Sequence, residues 1–185
     1  LAVAATLWLL LSQNQTLNEQ PQLDEKFQNW TLVIDGVVDM PMNLSASNLL
    51  SMPSTAVNSP LYCGGGGTGY PVENGTWEGV RLKLILGKAG IRSNAIKVAF
   101  YAPDGFSTDL TIQDVQREDV IIAYKKDGKF LKDDSGNPDF RLVVPGKWGY
   151  KWIKWIDQIE LSENTNYLGY WESRGYSNNA TALGP

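Results

Sequence analysis

The amino-acid sequence predicts a mixed, β-rich α+β domain with a few short helices. Short runs of β-branched and aromatic residues recur along the chain, Asp-Gly pairs punctuate them at positions 35–36, 104–105 and 127–128, and helical patterns are confined to brief segments. No internal repeat interrupts this pattern.

The elements follow in chain order. Residues 1–11 (LAVAATLWLLL) are almost wholly apolar, yet too few to span a bilayer core, which takes about 20 residues. They are read as the end of a signal peptide or a membrane anchor, the other reading being an amphiphilic helix packed on the domain or on a neighbouring chain. Residues 12–28 are polar and read as a linker, so the folded domain is expected over 29–185. Trp30–Val38 is expected as a strand broken at Asp35-Gly36. Ser45 is placed to cap a short helix running through Leu49-Leu50 and stopped by Pro53. Leu84, Ile85, Leu86 and Ala89 define a second short helix closed by Gly90.

Further on, Ile96–Ala102 is expected as a strand, and Thr111-Ile-Gln-Asp114 as a capping box opening another helix. Strands are expected at Val120–Tyr124 and Phe140–Val144, with a polar loop over 132–139 between them. The alternation over Trp152–Leu161 puts Ile153, Trp155, Ile159 and Leu161 on one face of a strand. The tail from Ser162 reads as irregular.

Composition narrows the function. The 185 residues suffice for one domain with a core of its own. A net charge of −4 argues against general binding to nucleic acid or anionic membranes. The chain has no histidine, which excludes Ser-His-Asp and Cys-His catalysis and imidazole zinc sites. Its one cysteine, Cys63, excludes an internal disulfide and a Cys₄ cluster within one chain. Five Asn-x-Ser/Thr sequons, at Asn14, Asn29, Asn43, Asn74 and Asn179, would be glycosylation acceptors on a eukaryotic secretory route.

Two segments stand out chemically. Cys63 ends the apolar Leu61-Tyr62-Cys63 and is followed at once by four glycines, which let a bulky ligand approach the backbone. A thiolate there suits a soft or high-valent metal, whereas a lone cysteine elsewhere is usually a small buried hydrophobe. The glycines themselves lack the Gly-Lys-Ser/Thr and the Rossmann spacing of phosphate loops. The second segment, residues 141–155, alternates four cations with aromatics and glycines. It reads as a phosphate-holding patch, as a strand with lysine stems beside Trp rings, or as an interfacial membrane contact.

The chain resembles the molybdopterin-binding oxidoreductase domain of sulfite oxidases and of the periplasmic methionine sulfoxide reductase catalytic subunit. The resemblance rests on Leu32-Val-Ile-Asp-Gly36, Leu61-Tyr-Cys63, Trp77-Glu-Gly-Val-Arg-Leu82, Asp104-Gly-Phe106, Ile121-Ile-Ala-Tyr124, Arg141-Leu-Val-Val-Pro145 and Gly149-Tyr-Lys-Trp-Ile-Lys-Trp155, in the family's order. It implies a sulfite-oxidase-type fold and a molybdenum–molybdopterin cofactor, with Cys63 as the metal ligand and catalytic centre. It further implies that Arg141, Gly149, Tyr150 and Lys151 contact the cofactor. The implied activity is oxygen-atom transfer on a small substrate, in an exported, extracytoplasmic protein served by a separate electron-transfer partner.

The sequence also departs from the family. Gly64–Gly67 replace the basic residues that follow the cysteine in sulfite-oxidising members, which disfavours sulfite. Residues 12–30 show no counterpart of a cofactor-contacting segment found in the reductases. The alternative reading is therefore a cofactor-free binding module that keeps the fold and binds a small ligand, a glycan or a protein through Trp148, Tyr150, Trp152 and Trp171. A glycan-binding β domain unrelated to this family is the third reading.

Overall fold

A computed structural model describes residues 28–63 and 71–182. The apolar run 1–11, most of the linker and the glycines after Cys63 lie outside the described residues. Two sheets enclose one core. The first has the order β2-β1-β10-β5-β6, built from β1 (Thr31–Gly36), β2 (Met42–Ser45), β5 (Lys97–Tyr101), β6 (Ser107–Thr111) and β10 (Gln158–Ser162). All its pairings are antiparallel except β1 with β10. The second runs β3-β4-β7-β8, from β3 (Ser54–Tyr62), β4 (Pro71–Arg81), β7 (Ile121–Lys126) and β8 (Lys129–Phe130), with β9 (Arg141–Val143) also on β7. Ile34, Phe100 and Ile159 from the first sheet and Trp77, Ile122 and Leu142 from the second belong to one buried cluster.

The helices are as short as the sequence predicts, and their ends have local causes. Helix α1 (Ala46–Leu50) starts at Ser45, whose side chain accepts from the Asn48 amide while Asn48 reaches back to the Ser45 amide, a reciprocal cap. Helix α2 (Leu82–Ala89) is closed by Gly90 at φ 73° and buries Leu82, Ile85, Leu86 and Ala89, with Leu84 only half-buried. Helix α3 (Ile112–Val115) opens on Thr111, which accepts from the Asp114 amide. Gly36 ends β1 at φ 79°, and a Cβ there would sit 2.1 Å from the Leu161 carbonyl oxygen, so the parallel β1–β10 pairing requires glycine.

Three features differ from the sequence-based expectation. The longest strands, β3 and β4, form an antiparallel hairpin that the sequence does not announce, because polar residues, Pro60 and Asn74-Gly75 dilute its apolar pattern. Strand β6 is likewise absent from that expectation. The strand expected over Trp152–Leu161 exists only from Gln158: Trp155 has φ 53°, a left-handed backbone that ends β geometry. Tertiary hydrogen bonds hold that break, from the Trp155 amide to Asp139 Oδ1 (3.1 Å), from Ile156 to the Phe140 carbonyl and from Asp157 to the Tyr101 carbonyl.

Candidate functional site

Strand β3 delivers Cys63 to the surface, where the thiol is exposed and free. Directly behind it, Tyr62 forms a parallel bridge with Trp148, and the two rings meet edge to face at 6.3 Å. That bridge brings a 3₁₀ turn, Gly149–Lys151, against the end of β3. The approach depends on glycine, since a Cβ on Gly149 would stand 2.9 Å from the Tyr62 carbonyl oxygen.

The space in front of these elements is a cavity of about 440 Å³. Cys63, Gly149 and Tyr150 line it together with Phe106, Trp155 and Trp171. Among the described lining residues the walls are mainly apolar and aromatic, with Asp104 and the exposed Lys154 as the charged members. Tyr150 donates its hydroxyl proton to the Ser177 carbonyl at 2.7 Å. Burial, reinforced by the Glu172 charge and by Tyr176, pushes the Tyr150 phenol up to about 12, so it stays neutral.

Of the five residues singled out from sequence, the fold brings three to this cavity: Cys63, Gly149 and Tyr150. Arg141 and Lys151 do not line it. Arg141 is buried over the Trp77 ring, with its guanidinium 3.2 Å from Asp139 and 3.4 Å from Glu73. Lys151 is wholly buried, with Nζ 2.5 Å from Glu172, 3.4 Å from Asp109 Oδ1 and 2.8 Å from the Asp109 carbonyl. Lys147 is likewise engaged, by Asp114 and Asn179. The cationic stretch 141–155 is thus no single strand and no continuous positive patch, because three of its four cations balance internal carboxylates.

Several lining residues were not legible as site residues. Phe106, Asp104, Trp155 and Tyr176 come from three separate segments, and only the density of aromatics in the irregular tail hinted at a role for Tyr176. Trp152 and Trp171, expected on an aromatic binding surface, do face the cavity, whereas Trp148 packs on Tyr62.

The donor set can be tested against a metal cofactor. Among the described residues no group of three or more His, Cys, Asp or Glu could hold a metal ion. Among the described side chains a metal beside Cys63 would have this one thiolate, leaving its other positions to an organic cofactor or to solvent-derived oxygens. A single exposed thiol on a roomy cavity, with a glycine-walled turn opposite, fits that arrangement.

Comparison with known proteins places the chain among molybdopterin-binding oxidoreductase domains. The family profile described as oxidoreductase molybdopterin binding domain matches residues 18–171, and the chain belongs to that family. It is 32% identical over 152 residues to the uncharacterized oxidoreductase YuiH of Bacillus subtilis, covering 82% of this chain and 74% of that protein. It is 31% identical over 172 residues to the NADH nitrate reductase of Volvox carteri, covering 76% of this chain and 20% of the reductase. Among solved structures it resembles the sulfane dehydrogenase SoxCD from Paracoccus pantotrophus, with TM-score 0.66 and 25% identity over 74% of this chain and 39% of that one. The β-rich fold is therefore of the sulfite-oxidase type, and the chain spans about a fifth of the Volvox reductase's length.

Proposed function

We propose that this protein is a molybdenum oxidoreductase that moves an oxygen atom to or from a small substrate, with Cys63 as the protein's ligand to the metal. The observation that carries this reading is the placement of Cys63 at the rim of the 440 Å³ cavity, facing the Gly149–Tyr150 turn. When bound, a molybdenum–molybdopterin cofactor supplies two-electron oxygen-atom chemistry there. The chain's own groups then have defined tasks. Cys63 anchors, Gly149 leaves room at the end of β3, and the aromatic walls exclude water. Tyr150 is a neutral phenol fixed by Ser177. Lys154 and Asp104 are the charged groups available to orient a substrate.

The reading extends to an exported, extracytoplasmic setting, with the apolar run 1–11 as the end of a signal peptide or as a membrane anchor. It also extends to a separate electron-transfer protein, since two-electron turnover needs a redox partner.

The test is the molybdenum and pterin content of the protein made in a host that synthesises the cofactor. Near-stoichiometric molybdenum with a releasable pterin is expected for the wild type, and loss of both for Cys63→Ser. Full molybdenum occupancy in Cys63→Ser would remove the proposed ligand. The internal pairing of Arg141 and Lys151 favours a second reading, the cofactor-free binding module. A folded wild-type protein carrying neither metal nor pterin would establish that one instead.

A further inference from the structure

The fold leaves the Cys63 cavity with little of the positive charge that an inorganic oxyanion needs. All five arginines of the chain lie in the described residues, and each is engaged elsewhere. Arg81 pairs with Glu118, Arg92 with Asp39, Arg117 with Asp119 and Arg141 with Asp139, while Arg174 donates to the Tyr170 carbonyl at 2.6 Å. Lys147 and Lys151 turn to Asp114 and Glu172. Outside the described residues the sequence has one cation, Lys26, and the loop 64–70 that follows Cys63 has none. Lys154 is thus the one cation among the described lining residues. It is exposed, and Asp104 in the same lining offsets its charge. A single solvent-exposed charge pairs weakly with an anion.

The cavity offers ring surface instead. Val72, Trp171 and Tyr176 all line it, yet they are among the most exposed large apolar side chains of the described residues, at 63%, 37% and 40%. Trp171 and Tyr176 pack at 5.0 Å, Tyr176 meets Tyr150 at 5.6 Å, and Phe106 meets Tyr170 at 5.8 Å. These rings are set before any ligand arrives. Arg174 stacks on Tyr170 at 3.7 Å, Tyr170 meets Trp171 at 5.3 Å, and the buried Lys151–Glu172 pair fixes the residue next to Trp171. Side chains fixed in advance lose little freedom on binding, and apolar surface left exposed at a cavity marks a place where another molecule is met.

We infer that the substrate presents an uncharged, flat aromatic ring to Phe106, Trp171 and Tyr176, and that inorganic oxyanions are poorly held at this site. The inference rests on the proposed reading of the Cys63 cavity as the reaction site, and names the class of molecule it takes. Contact of ring on ring adds to the burial of apolar area, and the volume of about 440 Å³ is that of a small-molecule site. An aromatic N-oxide has this character. It is neutral overall and its transferable oxygen lies in the ring plane, so the ring can enter edge-on with the oxygen leading. Its reduction breaks the N–O bond: two electrons from the redox partner and two protons give the free heteroarene and water.

The experiment is calorimetric titration of the purified protein with three compounds, on samples whose molybdenum content is assayed in parallel. They are quinoline N-oxide, trimethylamine N-oxide, which is neutral but has no ring, and nitrate, which is an anion. Quinoline N-oxide should bind about tenfold tighter than either of the others, and its affinity should not fall as salt is added. Phe106→Leu, which keeps the volume and removes the ring, and Trp171→Ala, at an exposed position, should each reduce that preference about threefold. Equal affinity for the two N-oxides, nitrate binding as tightly as the aromatic compound, no binding of any of the three, or a preference unchanged in both variants would overturn the proposal. Stoichiometric molybdenum without a ring preference would leave the metal reading standing and sink this one. A ring preference in a protein holding no molybdenum would sink the metal reading and keep the ring site.

Discussion

Lys151 Nζ lies 2.5 Å from Glu172 Oε1, with both side chains fully buried, so the turn beside Cys63 is tied to the C-terminal tail by one charge pair. The pair sits in a wider network. Asp109 faces both Lys151 and Lys97, and Thr108 donates to Glu172 at 2.6 Å. Lys97 in turn donates to the Tyr167 carbonyl. The tail that bears Trp171 and Tyr176, two walls of the Cys63 cavity, is held in place by these contacts.

Removing one partner of such a pair strands a buried charge. Lys151→Met should lower unfolding free energy by about 3–5 kcal/mol in denaturant titrations. The double variant Lys151→Met/Glu172→Gln should recover more than half of that loss, since the stranded carboxylate is gone. Equal losses in the single and double variants would mean that the lysine's packing, rather than its charge, matters.

Two glycines should respond oppositely to alanine. At Gly149 a methyl group meets the Tyr62 backbone carbonyl at 2.9 Å, which cannot rotate away. Gly149→Ala should therefore cost about 1–3 kcal/mol and reduce molybdenum retention by displacing the end of β3. Gly87, exposed on α2, has nothing within 4 Å of its would-be Cβ. Gly87→Ala should stabilise by roughly 0.5–1 kcal/mol and leave metal content unchanged. Thermal melts and metal analysis of both variants check this.

Asp139 joins Arg141 to Trp155, accepting from the guanidinium through Oδ2 and from the Trp155 amide through Oδ1. The left-handed Trp155 depends on that second bond. Asp139→Ala should cost about 2–4 kcal/mol, because Arg141 loses its buried partner and the Trp155 conformer its restraint. Tryptophan emission should shift to the red as the indole gains water. An unchanged spectrum would mean that Trp155 is held by other contacts.

The pH dependence follows from Asp157. Its carboxyl is raised above the ordinary 3.8, first by burial and then by the Asp104 charge. The folded state thus binds this proton more tightly than the unfolded chain does. The group's contribution to stability is greatest below the ordinary value and falls as pH climbs through the raised one. Asp157→Asn should have little effect on Tm near about pH 3 and raise it near about pH 7. A Tm gain of equal size at both values would point to a cause other than charge.

Local chemistry was legible in the sequence wherever a few adjacent residues suffice. Ser45, Thr111 and Gly90 bound their helices as their capping types dictate, and the β-branched runs at residues 31–36, 97–101 and 121–126 became strands. The Leu61-Tyr62-Cys63 and Gly149-Tyr150 motifs, read through a family resemblance, lie together at one cavity. The β3–β4 hairpin was not legible, because its pairing along Ser54–Tyr62 and Pro71–Arg81 compensates for a weak local pattern.

What the amino-acid sequence determined by itself was the β-rich class, the short helices with their caps, the exclusion of histidine chemistry and the candidacy of Cys63. Only the tertiary structure decided that Trp155 leaves the strand and that Arg141 and Lys151 turn inward to Asp139, Asp109 and Glu172. The physical reason is range. Caps and strand propensity act over a few residues, whereas a charge takes whichever partner the packed core places beside it, and that partner is set by pairings between segments far apart in the chain.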